Sequence, residues 1–310
     1  MADWAVQNPE EDAQRRIRDV DELAESVTAY LRRARDEYGV EPAYVSINEP
    51  TIAAETGHGG YDLALTARTQ AELIRRAGER FEAHGLETKW IIALHKANTT
   101  ELQHARQVLN TPGVRPHVAG FDAHGYWWQS GHDVELAAWG EWTASTDLPV
   151  FCGECDYDNF FWQREDQDRW THAVESAKLY HKMYTLARVS GLLVWYGDLP
   201  GESHPYRYAA RHFYDHLEPG MTVVRTHTSS DSLLATAAKG GAAENRFMLV
   251  LQNADSEEQT VRIDGLPEGP LEWIRSTAES YYQRRDSREP TEGTLEVRLP
   301  PKSIHTFYAE

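Results

Sequence analysis

The sequence predicts an α/β fold, a parallel sheet over residues 1–218 followed by a C-terminal antiparallel β-sandwich over residues 219–310. Three observations predict it. Short apolar runs alternate five times with helix-period segments across the first part, the pattern of a parallel sheet covered by helices. After Glu218-Pro219-Gly220 the pattern changes to short strands separated by turns, the pattern of a sandwich. Two of the apolar runs, moreover, end in a glutamate, at the position where α/β barrels carry their chemistry.

Taken in order, residues 1 to 20 are polar and read as strand-free. Leu23, Val27, Tyr30, Leu31, Ala34 and Tyr38 then recur at helical spacing, and Gly39 ends that helix. The run Ala43-Tyr44-Val45-Ser46-Ile47-Asn48-Glu49-Pro50 reads as a buried strand covered on both faces. Pro50 cannot donate to a ladder and restrains the residue before it, so the strand is expected to stop there and leave Glu49 where it frays into a loop. His58-Gly59-Gly60 marks a loop before a helix with Leu73, Ile74, Ala77 and Phe81 on one face. Lys89 to His95 is the next strand, and Thr99 or Thr100 is expected to cap a helix running to about Leu109. Val118 to Trp127 forms a third strand, with a helix near Val134 to Ala144. The fourth strand, Leu148 to Cys155, carries Glu154 and precedes a helix near Trp170 to Arg188. A fifth, Gly191 to Tyr196, leads to a helix near Tyr208 to Leu217. The sandwich strands are expected around 222–228, 232–238, 246–252, 259–264, 271–275, 294–299 and 303–308, with Pro219-Gly220 and Asp264-Gly265 supplying turn chemistry. The charged segment Gln283 to Gly293 reads as a solvated loop.

Composition narrows the function. Thirty-one basic against 49 acidic residues give a formal charge of -18, which repels phosphate backbones and anionic lipid. Nucleic acid and membrane partners are therefore disfavoured, and a neutral substrate fits better. Ten Trp and fifteen Tyr supply flat rings that pack cores and also stack on sugar faces. The only cysteines, Cys152 and Cys155, lie on the strand of Glu154, so there is no disulfide framework. Their Cys-x-x-Cys spacing suggests redox or zinc chemistry, but no helix opens at the pair and no second ligand pair follows. Met1-Ala2-Asp3-Trp4 begins no basic-then-apolar leader, so the chain as written is expected in the cytoplasm, with secretion if an upstream segment carries a signal peptide.

Two strand-end glutamates on separate βα units are what a retaining glycosidase needs. With Ser46-Ile47-Asn48-Glu49-Pro50 and Gly153-Glu154 in place, the chain resembles the retaining glycosidases built on a (β/α)8 barrel. It is most similar to glycoside hydrolase family 30. The junction Arg211-His212-Phe213-Tyr214-Asp215-His216-Leu217-Glu218-Pro219-Gly220 and the ending Leu299-Pro300-Pro301-Lys302-Ser303-Ile304-His305-Thr306-Phe307 resemble that family too. The resemblance implies a partial (β/α)8 TIM-type barrel in which strands 4 to 8 are recognisable. It implies a neutral β-glycan or β-glycoside substrate, double displacement, and neither metal nor cofactor. Carried over to these positions, it makes Glu49 the acid/base and Glu154 the nucleophile. Asn48 then meets the sugar 2-hydroxyl, Tyr126 orients the nucleophile, and Trp195 lies beneath the reacting sugar. His124 and Tyr126 lie two apart on one strand and so face the same way. His95 ends its strand as the catalytic residues do, and joins the substrate-binding set.

One departure matters. If Glu49 ends the fourth strand, the barrel has five strands where closure needs eight, and an open sheet leaves two edges with unpaired backbone groups. Self-association or a complementing N-terminal segment is therefore expected. The alternative is a catalytically impaired barrel fragment acting as a carbohydrate-binding or interaction protein. A third reading, a metal-dependent hydrolase using His95, His124 and Glu154, lacks a His-x-His pair or bridging carboxylate to accompany it.

Overall fold

The computed structural model describes residues 6–7, 16–17, 19–47, 50–51, 63–126, 132–157, 169–195, 205–241 and 246–309. In chain order the first part holds β1 (Val6–Gln7), β2 (Arg16–Ile17), α1 (Val20–Tyr38), β3 (Tyr44–Val45), β4 (Pro50–Thr51), β5 (Leu63–Ala64), α2 (Ala67–Ala83), β6 (Lys89–Ala93), α3 (Thr99–Leu109), β7 (Val118–Asp122), β8 (Gly125–Tyr126), α4 (Asp133–Ala144), β9 (Val150–Asp156), α5 (Arg169–Thr185), β10 (Gly191–Val194) and α6 (Pro205–Tyr214). The chain divides into two compact units. The first comprises Met1–His124, His132–Gly153 and Val189–Gly191; the second comprises Gly125–Gly131, Glu154–Arg188 and Leu192–Glu310. No helix among the described residues is long and apolar enough to cross a membrane.

The first unit is built on parallel pairing of β3 with β6, β6 with β7, and β7 with the start of β9. The sheet curls. Tyr44 on β3 and Phe151 on β9 are three strand intervals apart, about 14 Å in a flat sheet, yet their ring centroids are 6.0 Å apart. The helices cover the outside. Asp19 caps α1 by accepting from Asp21 N, and Gly39 closes it in the left-handed conformation at φ 67. Leu23, Ala24, Thr28 and Leu31 face inward on α1, while Tyr30 is exposed. Thr66 caps α2, whose buried Leu73, Ile74, Ala77 and Phe81 reach the sheet, where Phe81 stacks on Trp90 of β6 at 5.9 Å.

Several local expectations are corrected. Residues 1 to 20 are not strand-free, because β1 and β2 pair antiparallel, Val6 opposite Ile17. The run 43–50 is not one buried strand: β3 has two residues, it is the outermost strand of its sheet among the described residues, and Tyr44 is 52% exposed. Pro50 does not stop a strand but starts β4, which pairs in parallel with β5. The first residue of a strand is a place where a missing N–H is tolerated. The α3 cap is Asn98, whose side chain accepts from Glu101 N, because Asn98 holds the extended backbone that Thr99, already helical, lacks. The third strand breaks into β7 and β8.

The second unit continues with β11 (Met221–Val224), β12 (Leu233–Gly240), β13 (Phe247–Asn253), β14 (Gln259–Asp264), β15 (Leu271–Ser276), β16 (Gln283–Arg288), β17 (Thr294–Leu299) and β18 (Ser303–Ala309). Six of these form an antiparallel sheet of order β11-β12-β13-β18-β15-β16, and β14 pairs with β17. Leu233, Ala235, Leu249, Leu251, Trp273 and Phe307 from the larger sheet share a core with Val297 and Leu299 of β17. Alternation sends the neighbouring side chains to the other face, toward α5 and α6. There His212 of α6 bonds Thr306 Oγ1 at 2.7 Å and Ser276 Oγ at 2.8 Å, and Gln252 donates to Val174 O at 2.7 Å. Burial pushes the His212 pKa well below its usual range, so the ring is neutral. Gln283–Arg288 is a strand and not a loop. All six of its residues are exposed, so it has no apolar alternation to announce it; pairing with β15 makes it.

Candidate active site

The second unit gathers three of the expected site residues at the ends of neighbouring strands. Glu154 is half-buried near the end of β9. Tyr126 ends β8, which pairs with β9 in the register Gly125 to Cys155 and Tyr126 to Asp156. Its hydroxyl donates to Glu154 Oε2 at 2.7 Å, the length of a charge-assisted bond to a carboxylate. Trp195 follows β10, its N–H donates to Cys155 O at 3.2 Å, and its ring meets Tyr126 edge-on at 5.9 Å and 88°. A carboxylate held by a tyrosine beside a partly exposed indole offers a nucleophile next to a flat apolar surface.

Beneath them lies a buried polar layer that sequence reasoning missed. Asp156, two residues past Glu154, meets His172 of α5 with Oδ1 and Nε2 3.2 Å apart, and both are buried. His172 stacks on Tyr206 of α6 at 5.2 Å. The Tyr206 hydroxyl lies 3.3 Å from Cys155 O and 3.4 Å from Trp195 O. A tyrosine in the first turn of a helix carries no sequence signal for such a role, since its partners are backbone carbonyls.

In the first unit, His95 and His124 are both buried, with ring centroids 5.5 Å apart and edge to face. His95 lies just past β6. Glu101, buried on α3, accepts from His95 N at 2.6 Å and Lys96 N at 2.9 Å, fixing the loop after the strand. His124 falls between β7 and β8, so the strand alternation that put it on one face with Tyr126 does not hold. Asp122 at the end of β7 accepts from Gly153 N at 2.6 Å, next to Glu154 in sequence. That residue too was missed; a lone aspartate ending an apolar strand resembles any strand end. Asn48 and Glu49 lie outside the described residues. Cys152 and Cys155 are both buried, Cys155 Sγ donating to Gly125 O at 3.3 Å, and no group of three or more His, Cys, Asp or Glu converges to hold a metal among the described residues.

Comparison with solved structures identifies the architecture. The chain has a glycoside hydrolase family 30-like glycosidase fold. It is similar to a family 30 endoxylanase from Clostridium papyrosolvens, with a TM-score of 0.76 and 15% identity over 96% of this chain and 73% of that one. A family 30 subfamily 8 xylanase from Clostridium acetobutylicum matches at a TM-score of 0.74 and 16% identity, over 93% of this chain and 72% of that one. SrfJ from Salmonella typhimurium matches at 0.74 and 14%, over 99% and 66%. No protein-family model and no curated protein sequence matches the chain.

Proposed function

We propose that the chain is the catalytic part of a retaining glycoside hydrolase that cleaves O-glycosidic bonds of a neutral β-glycan or β-glycoside. The observation that carries the proposal is the 2.7 Å bond from Tyr126 to Glu154 beside Trp195, on a fold like that of xylanases. In this reading β3, β6, β7 with β8, β9 and β10 stand at barrel positions four to eight. The barrel part ends near residue 218, and the two antiparallel sheets of 219–310 form a sandwich.

Glu154, oriented by Tyr126, attacks the anomeric carbon while Glu49 donates a proton to the departing oxygen; the glycosidic bond breaks and a glycosyl ester forms on Glu154. Glu49, now ionised, takes a proton from water as that water attacks the same carbon and frees Glu154. Two inversions retain configuration. Asn48 bonds the sugar 2-hydroxyl, Trp195 stacks on the apolar sugar face, and His95 and His124 complete the substrate-binding set. The formal charge of -18 suits a neutral substrate.

Glu154→Gln should abolish turnover of every substrate. Glu49→Gln should spare aryl glycosides with good leaving groups and be rescued by azide. Full rates in both variants would sink the two-glutamate reading. A second reading, a carbohydrate-binding or interaction protein, is favoured by one observation: among the described residues the outer strands of the sheet are β3 and β10, where Tyr44 and Leu193 are 52% and 59% exposed. Glycan binding by a wild type that turns over no aryl glycoside would support it. The same exposed edges make self-association, or capture of a complementing N-terminal segment, part of the proposal.

A further inference from the structure

Tyr206 is 1% exposed, sits in the first turn of α6 behind Pro205, and turns its hydroxyl toward two backbone carbonyls. Cys155 follows Glu154 directly, and Trp195 is the residue whose ring meets Tyr126. One hydroxyl thus spans the carbonyls of both, at 3.3 and 3.4 Å. Cys155 O also accepts the Trp195 N–H at 3.2 Å, so the end of β9 and the end of β10 are tied twice at one point. Neighbouring rings pack against that of Tyr206. His172 stacks on it at 5.2 Å and is itself set against Asp156 on β9, and the Tyr180 ring lies 6.5 Å away, tilted by 58°.

We propose that Tyr206 is a positioning residue for the glycosidase reaction: its hydroxyl fixes the spacing between the strand end that carries Glu154 and the one that carries Trp195. The inference rests on the glycosidase reading of this site and adds to it a residue that touches neither sugar nor nucleophile. A nucleophile must meet the anomeric carbon within a few tenths of an ångström while the sugar lies on the indole, so a slack strand gap costs rate before it costs binding. Burial and the charge of Asp156 push the Tyr206 pKa well above its usual range, so it remains a donor throughout the working pH range.

The test is Tyr206→Phe in the full chain, which removes one oxygen and keeps the stacked ring, read in two ways. Amide hydrogen exchange is followed at Trp195. The amide should be protected in the wild type and exchange roughly tenfold faster in the variant, while exchange in α5 and β13 stays unchanged. Turnover of 4-nitrophenyl β-xylobioside is measured per active site, with sites counted by labelling with 2,4-dinitrophenyl 2-deoxy-2-fluoro-β-xylobioside. The kcat per labelled site should fall about tenfold with KM within about twofold. A loss of fold alone would lower the number of labelled sites and leave kcat per site intact. An unprotected Trp195 amide in the wild type, unchanged exchange in the variant, or an unchanged kcat per site would each overturn the proposal. Failure of the glycosidase reading itself would show separately, as a wild type that is neither labelled nor active.

Discussion

Gly153 is a position where a single added methyl group should be felt sharply. Its N–H donates to Asp122 Oδ1 at 2.6 Å, and a Cβ built on it would lie 2.6 Å from that oxygen, 2.8 Å from Cγ and closer still to Oδ2. In Gly153→Ala the carboxylate must swing away by about 1 Å to reach ordinary contact, which breaks its bond to the Gly153 N–H. Overpacking costs about 1–3 kcal/mol and an unsatisfied part-buried donor about 1–3 kcal/mol. The two partly overlap, so a loss of roughly 2–4 kcal/mol follows, lowering Tm by roughly 5–10 °C. Thermal unfolding of Gly153→Ala, Asp122→Ala and the double variant provides the assay. Without the carboxylate there is no clash, so the double variant should be more stable than the sum of the singles by at least about 1 kcal/mol. Strict additivity, within about 0.5 kcal/mol, would refute the reasoning.

Three further outcomes follow from the same geometry. Tyr126→Phe removes a bond to a carboxylate worth about 1.5–3 kcal/mol, so kcat/KM should fall roughly 10- to 150-fold with Tm little changed; a loss under twofold would remove Tyr126 from the site. Burial pushes the pKa of His104 down to about 4 and that of His305 to about 3, so the unfolded chain takes up these protons first. Stability should therefore be full above about pH 6.5 and fall as pH drops toward 4; His104→Gln and His305→Gln should each flatten the plot of Tm against pH, and an unchanged slope would contradict the account. Light scattering on a sizing column should show the chain self-associated at micromolar concentration, with Tyr44→Lys at the β3 edge shifting it toward monomer. A compact monomer that melts cooperatively would remove the open-edge argument.

Much of this was legible in the sequence because burial writes periodicity. Leu73, Ile74, Ala77 and Phe81 mark the inner face of α2, and all four are buried. The central strands β13 and β18 are covered on both faces, and both read as strands from sequence. The failures have physical reasons too. β16 is charged and exposed, so backbone pairing alone defines it. α1 keeps its helical pattern although Tyr30 and Tyr38 are 71% and 69% exposed, because periodicity marks a stripe without saying whether anything covers it. Glu154 was singled out as a glutamate closing an apolar strand, and Tyr126 and Trp195 through the family resemblance. Asp122 and Tyr206 were not, because both bind backbone, and backbone partners leave no mark on spacing.

The central claim is a covalent glycosyl intermediate on Glu154. Incubation with the 2-deoxy-2-fluoro analogue of a β-glycoside that the chain hydrolyses, proteolysis and mass spectrometry should find the added sugar on the peptide containing Gly153-Glu154-Cys155, with Glu154→Gln unlabelled. Proton NMR of the first product released from an unmodified substrate by the same sample should show the β anomer. A label on another residue, or an inverted first product, would contradict the claim.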